Sequence, residues 1–539
     1  MIKDLVLLAP IWLSAVGGLV VLALDLLTPR GVGRRHLAYV SSFFLALSGL
    51  WAWKLWSSGP ELESVYLQSI FVLDLYGAFF AALVVLAAIG ACLFAVGHLE
   101  SHDMDRGEYY ALVVFSTTGA LIFLTARDFV TLFLGLEVMS LAAYVLAASK
   151  KQSPYSTEAG MKYFVLGGVG SAMLLFGASL LYGSTGSLDV VAMGTHFLEH
   201  DPGRNYLLPQ FAMLLLAVAF LFKIAAVPFH MWAPDVYEGS PSPVVVFMAA
   251  GIKAVGVAVL GRVMLTVFQN DVFLDFPVSL PGILLVLSIL TMTLGNLLGV
   301  VQRNVKRILA YSSIAHAGYI LLGIYAVVGP NDETGGQLLN MGVPFYVLVY
   351  AIASMGAFGV VSIVTADGDE DAHLEKFAGL ARKRPYLSLL LLASLLSLAG
   401  VPPLAGFMGK FVLFKEVLRA DPGGNVPFVV IAVLNSLVGL YYYLRIAVYV
   451  YFREPASDAP ADAADAPIRT APGLVFASLL AVLLLHAGVF PAKYIALSSK
   501  VAERSALVSA SVAVSDSKVG GRPPRSLARA SLRAGSYLH

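Results

Sequence analysis

Apolar runs of 18 or more residues recur along the whole chain, separated by short polar stretches. Each run is long enough for a helix to cross a bilayer core of roughly 30 Å. Fourteen candidate spans follow: 4–27, 36–56, 70–98, 109–126, 128–149, 160–183, 207–229, 243–268, 278–301, 307–328, 343–366, 386–418, 427–452 and 471–491. The pattern predicts an all-α polytopic membrane protein. The opening run, MIKDLVLLAPIWLSAVGGLVVLALDLL, exceeds the apolar core of a signal peptide and lacks a small-residue cleavage site. It is predicted to be the first span.

Between the spans, the segment 453–470 (REPASDAPADAADAPIRT) is rich in Ala, Asp and Pro and reads as a flexible loop. Loop 367–384 is charged throughout, and the tail 500–539 is polar and basic. Cationic clusters fall in odd-numbered loops: Arg30, Arg34 and Arg35; Lys150 and Lys151; Arg303, Lys306 and Arg307; Arg382, Lys383 and Arg384. Even-numbered loops carry single positives such as Arg127 and Arg204. Odd loops are therefore predicted to face the cytoplasm and both termini the opposite side. The basic tail runs against this orientation. A missed or extra span would reconcile the two, as would a tail with little weight in topology.

The spans repeat. Pro228 interrupts one, and Pro402 with Pro403 interrupts another about 175 residues on. The spans beginning near 109 and 128 have counterparts near 278 and 307. The repeat unit is five helices, and an odd unit inverts its second copy in the membrane. The predicted organisation is a three-helix segment 1–107, a first repeat 108–268, an inverted second repeat 278–452, a loop and last helix 453–499, and the tail 500–539. Broken helices at matching positions of inverted repeats point to a transport path near the midplane.

Composition agrees with the membrane reading. The 539 residues are 58% hydrophobic and 13% charged, against about 25% charged in soluble domains. A net charge of +1 gives no sign of a nucleic-acid partner. The single cysteine, Cys92, excludes an intrachain disulfide and a cysteine-built zinc or iron–sulfur site.

Four ionisable residues lie deep in apolar runs: Glu137 in FLGLEVMSLAAY, Lys223 in LFKIAAVPF, Lys253 in FMAAGIKAVGVAV and Lys410 in GVPPLAGFMGKFVLF. Such a group costs about 2.5–3.5 kcal/mol at a helix centre on insertion scales, and persists where it pairs or lines a wet path. Burial favours a neutral amine, whereas a nearby carboxylate favours the ammonium. A row of lysines whose pairing can switch is thus a candidate proton relay. The prolines free backbone carbonyls and hinge the helix, so water can enter.

Secondary candidates are His230, His316 in YSSIAHAGYILLG, and Lys162 in EAGMKYFVLG. The histidines fit either a relay step near neutral pH or a hydrogen bond that holds a helix break. Lys162, near the start of its span, fits a relay or a snorkelling side chain. Asp235 and Glu238 fit local pairing, capping or proton uptake. GFMGKF lacks the P-loop spacing, and GGVGSA suits close helix packing rather than a dinucleotide. No haem, flavin or nicotinamide signature is present.

Four stretches together, STEAGMKYFVLGGVGSAMLLFGASLLYGSTGSLD, FKIAAVPFHMWAPDVYEGSPSPVVVFMAAGIKA, NVKRILAYSSIAHAGYILLG and GVPPLAGFMGKF, resemble the subunit N family of bacterial NADH-quinone oxidoreductase, respiratory complex I. The resemblance covers roughly residues 70–450. It implies fourteen helices in the bacterial inner membrane and a proton-translocating role beside other membrane-arm subunits. It also implies that this chain carries no cofactor, with NADH, FMN, iron–sulfur clusters and quinone handled by partner subunits. By motif, Glu137 and Lys223 resemble the family's ion pair, Lys253 its central lysine, and Lys410 the exit-side residue on a broken helix. A rival is a subunit of a cation/proton antiporter assembly or of a dehydrogenase with another electron donor. The loop 453–470 and the basic tail depart from the family pattern.

Overall fold

The computed structural model describes residues 2–29, 31–57, 69–102, 104–199, 207–268, 273, 279–328, 340–366, 372–454 and 471–504. Arg30, Arg204, the segments 367–371 and 455–470, and the tail beyond 504 lie outside the described residues.

The main helices are α1 (Ala9–Leu27), α2 (Arg35–Trp56), α3 (Leu75–Ala95), α4 (Gly107–Thr125), α5 (Phe129–Ala147) and α6 (Pro154–Thr185). They continue with α7a (Leu207–Lys223), α7b (Trp232–Gly239), α8 (Ser242–Val267), α9 (Leu280–Val301), α10 (Val305–Val328) and α11 (Gly342–Val364). The last are α12a (Pro385–Ala399), α12b (Ala405–Ala420), α13 (Val426–Phe452) and α14 (Ala471–Val489). Among the described residues, eleven helices are long and apolar enough to cross a bilayer. The 22-residue α2 is more polar, and α7 and α12 are each broken in two. Counted with these, the described helices give the fourteen traverses predicted. The chain is a multi-pass, all-helical membrane protein.

Local chemistry sets the helix ends. Asp74 caps α3 by accepting from Gly77 N at 2.7 Å, and Asp128 caps α5 by accepting from Val130 and Thr131 N at 2.9 Å. Ser153 caps α6 with Pro154 in its first turn, so α6 starts six residues before the run 160–183 predicted from hydropathy. The short helices Val190–Glu199 and Ala492–Arg504 were not anticipated as separate elements.

The two halves share local detail. The pairs α4·α5 and α9·α10 pack most closely, backbone against backbone. A methyl group at Gly119 would overlap the Met139 amide, and one at Gly295 would overlap the Ala315 amide. Each second helix is capped by a short polar side chain, Asp128 for α5 and Asn304 for α10. Beside each cap the backbone forms an isolated antiparallel bridge, Asp128 with Asp189 and Asn304 with His373.

The breaks match as well. α7a closes with Ala226 N donating to Leu221 O at 2.9 Å and Ala225 N to Phe222 O at 3.0 Å. α12a closes with Val401 N donating to Leu396 O and Gly400 N to Ser397 O, both at 3.0 Å. Both are Schellman closures, with Ala225 (φ 57°) and Gly400 (φ 87°) in the left-handed position. Pro228 and Pro403 follow three residues on, each after a cis peptide bond. Helices α8, α10 and α11 are enclosed on nearly all sides, whereas α1, α6, α9, α13 and α14 expose apolar faces.

A buried row of lysines

Three lysines project into the enclosed interior, and each is held in the same way. Lys223, at the end of α7a, donates to the Ser140 hydroxyl of α5 at 2.7 Å and lies 5.6 Å from the Tyr163 ring centroid. Lys253, on α8, donates to the Ser313 hydroxyl and, at 2.8 Å, to the Ser313 carbonyl of α10; its ammonium is 5.8 Å from the Tyr350 ring. Lys410, on α12b, donates to Ser436 at 2.7 Å and lies 5.4 Å from the Tyr319 ring. Each is thus bracketed by one serine hydroxyl and one tyrosine face, and ring faces attract a cation.

Among the described residues none of these lysines forms a direct ion pair. They are 5%, 2% and 8% exposed. A buried ammonium with a carboxylate partner would leave an orphaned anion on losing its proton, at a cost of several kcal/mol. Hydroxyls, carbonyls and rings accept either protonation state with no such orphan. The neutral surroundings therefore suit a group that gains and loses protons.

Glu137 stands one turn before Ser140 on α5 and accepts from the Ser171 hydroxyl of α6. The resemblance implied an ion pair between Glu137 and Lys223, and the structure separates them. Ser140 takes the lysine and Ser171 takes the carboxylate, and among the described contacts the two charges form no direct salt bridge.

Helix α10 joins the rest. Ser313, His316 and Tyr319 stand three residues apart and so share one face. Ser313 holds Lys253, and Tyr319 faces Lys410. His316 lies between them, with Nδ1 2.6 Å from the Tyr346 hydroxyl and Nε2 3.1 Å from the Tyr443 hydroxyl. Tyr350 donates to Ser313 at 2.8 Å, and its ring centroid is 5.0 Å from that of His316. On the other side, a Cβ at Gly256 of α8 would come within 3.4 Å of Lys223 Cγ, one turn from Lys253.

The breaks serve this row. The α12a break leaves the Ala399 carbonyl for Lys410, which donates to it at 2.9 Å. That places a cation at a helix C-terminus, where the dipole favours it. At the α7 break, Val227 N donates to Thr291 of α9 at 3.0 Å, so the opened backbone stays satisfied.

Two secondary candidates lie elsewhere. His230 sits in the α7 turn, half-buried, beside the Pro228 backbone. Lys162 joins an ionic cluster near the outer end of α7b. It contacts Glu158 at 2.6 Å and Asp235 at 2.5 Å, while Arg307 contacts Asp235 at 2.8 Å and Glu238 at 2.6 Å. Asp235 and Glu238 therefore pair locally and tie α6, α7b and α10 together.

Sequence reading missed Ser140, Ser171, Ser313, Ser436, Tyr346, Tyr350 and Tyr443. Hydroxyl residues scattered in apolar helices carry no charge signal. One signal was available: the three-residue spacing of Ser313, His316 and Tyr319 inside YSSIAHAGY. Among the described residues no three His, Cys, Asp or Glu side chains gather to hold a metal ion.

Comparison with known proteins follows the same lines. Residues 126–438 match the family model for the transmembrane region of NADH:quinone oxidoreductase and Mrp antiporter proteins. NADH-quinone oxidoreductase subunit N 1 of Sorangium cellulosum is 41% identical over 442 residues, 80% of this chain and 84% of that protein. A chain of respiratory complex I from Thermus thermophilus, solved with bound aureothin, is 32% identical with a TM-score of 0.71, covering 91% of this chain and 99% of that one. A chain of the Mrp complex from a Dietzia species shares the fold at 22% identity and a TM-score of 0.76, covering 93% and 97%. The chain belongs to the subunit N family of NADH-quinone oxidoreductases.

Proposed function

We propose that this chain is a proton-translocating membrane-arm subunit of an NADH-quinone oxidoreductase. It works in the bacterial inner membrane beside other antiporter-like and small helical subunits. NADH, FMN, iron–sulfur clusters and quinone belong to its partners, and this chain supplies the proton path. The observation that carries the reading is the row Lys223, Lys253, Lys410, each between a serine hydroxyl and a tyrosine ring, with α10 spanning the last two.

Protons enter the row at Lys223, whose charge is biased by Glu137 across Ser140 and Ser171. They pass along α8 to Lys253, then by Ser313, His316 and the tyrosine hydroxyls toward Lys410. Moving one charge against 100 mV costs about 2.3 kcal/mol, which electron transfer in the partner subunits supplies. The matching glycine contacts, caps and Schellman closures support reading 108–268 and 278–452 as two copies. Five traverses separate corresponding helices, which inverts the second copy and places the two breaks on one path from opposite sides. The even count of traverses puts both termini on one side, and the cationic odd-numbered loops support reading that side as non-cytoplasmic.

Inside-out vesicles carrying Lys223→Ala or Lys253→Ala test the reading, with assembly followed on native gels. The expected result is an assembled complex whose NADH oxidation and proton uptake both fall at least about tenfold, the loss of one relay step. Normal NADH oxidation and normal proton uptake in both assembled variants would overturn the relay and leave a scaffold. Parent membranes without NADH-linked uptake would point to another electron donor or to cation/proton exchange.

A further inference from the structure

Away from the lysine row, a cavity of about 460 Å³ opens between the start of α4 and the end of α5. Its rim carries three cations: Arg106, and Lys150 with Lys151 from the turn after α5. Among the described lining residues Glu108 is the acidic one, so these carry a net positive charge. Leu112 and Val145 form part of its apolar wall. The Ser149 hydroxyl lining it is buried and has no hydrogen-bond partner among the described residues.

The cavity continues into an apolar track. Down α5 from Val145 (55% exposed) run Leu141, Val138 and Leu134, all exposed on the same side at steps of three and four residues. The track descends into the depth spanned by α5. The cavity therefore lies at the level of lipid headgroups, with acyl-chain depth directly beneath it.

We propose that this cavity binds an anionic phospholipid, its phosphate held by Arg106 and Lys151 and one acyl chain laid along Val145, Leu141, Val138 and Leu134. Charge and shape together select that occupant. Cations close to a membrane surface attract anionic lipid at about 1 kcal/mol each. Arginine and lysine both bind phosphate oxygens through charge-assisted hydrogen bonds. Free phosphate would use the rim alone and leave the track idle. Such a lipid would brace the α4 start against the α5 end, away from the relay.

The test places a photo-crosslinking benzoylphenylalanine at Leu141, one turn below the cavity, in the whole complex. The complex is reconstituted in vesicles where one lipid in five is phosphatidylglycerol and the rest phosphatidylcholine. Mass spectrometry then reads which lipid is attached to this chain. Phosphatidylglycerol adducts should exceed their share of the mixture, in a ratio to phosphatidylcholine adducts about fivefold that of the bulk. The double variant Arg106→Gln with Lys151→Gln, which changes only exposed side chains, should return them to that share. Adducts that follow the bulk mixture in the parent would overturn the proposal, as would enrichment that survives in the double variant. Adducts at the bulk ratio together with saturable binding of inorganic phosphate would show an anion pocket without a lipid, and would also overturn it. Proton uptake is not the readout, so failure here is separate from failure of the relay.

Discussion

Lys223 donates to Ser140 at 2.7 Å, one helical turn beyond Glu137, so a hydroxyl stands where an ion pair was expected. Ser140→Ala removes the only polar contact described for that ammonium in this structure. A hydrogen bond to a charged group contributes about 1.5–3 kcal/mol. The expected outcome is an assembled complex whose proton uptake and NADH oxidation fall together by about tenfold. Ser140→Thr, which keeps the hydroxyl, should recover most of the activity. Equal activity in all three proteins would show that Ser140 takes no part.

The two helix breaks make opposite predictions for one small change. Ala225 holds φ 57° where its counterpart Gly400 holds φ 87°. A non-glycine residue in that region costs roughly 1–2 kcal/mol. Ala225→Gly should therefore raise the thermal stability of the purified complex. Gly400→Ala should lower it by a similar amount and also disturb Lys410, because the new methyl would stand 3.0 Å from Lys410 Cδ. Melting curves with matched activity assays check both. A rise in stability for both variants would contradict the argument.

Close helix contact leaves no room for a side chain at Gly119. A side chain there meets the Met139 backbone, which cannot turn aside as a flexible side chain could. Overpacking costs about 1–3 kcal/mol or more. Gly119→Val should abolish assembly on native gels, whereas Gly168→Ala, with open space around its Cβ, should leave assembly unchanged.

The ionic cluster is unevenly loaded. Arg307 bridges Asp235 and Glu238 with its side chain 25% exposed, whereas Lys162 is 39% exposed. Surface pairs contribute only about 0–1 kcal/mol, and removing one partner of a more buried pair costs more. Arg307→Gln should reduce the amount of assembled complex several-fold. Lys162→Gln should reduce it by less than about twofold. Quantified native gels from equal membrane protein decide the order.

Much of this was legible from the sequence. Apolar run length gave the traverses, and the prolines gave the breaks, because both act through local physics. Lys223, Lys253 and Lys410 stood out because charge is rare in such runs. Helix ends were less legible: Ser153 and Pro154 start α6 before the hydropathy does. The partners of the lysines were least legible. Lys223 meets Ser140 across 83 residues and Lys253 meets Ser313 across 60, and a serine in an apolar helix looks ordinary until the fold supplies its neighbour. The partner of Lys162 was hidden for the same reason, since Asp235 lies 73 residues away.

Ser313, His316 and Tyr319 stand on one face of a single helix, so any rotation of α10 moves all three contacts together. A turn of α10 about its axis would uncouple Lys253, the histidine and Lys410 in one movement. On the proposed relay, the second half of the path would then behave as a single valve rather than as three gates in series. Substitutions along that face should be epistatic: once one of them has unseated α10, a second should add little further loss.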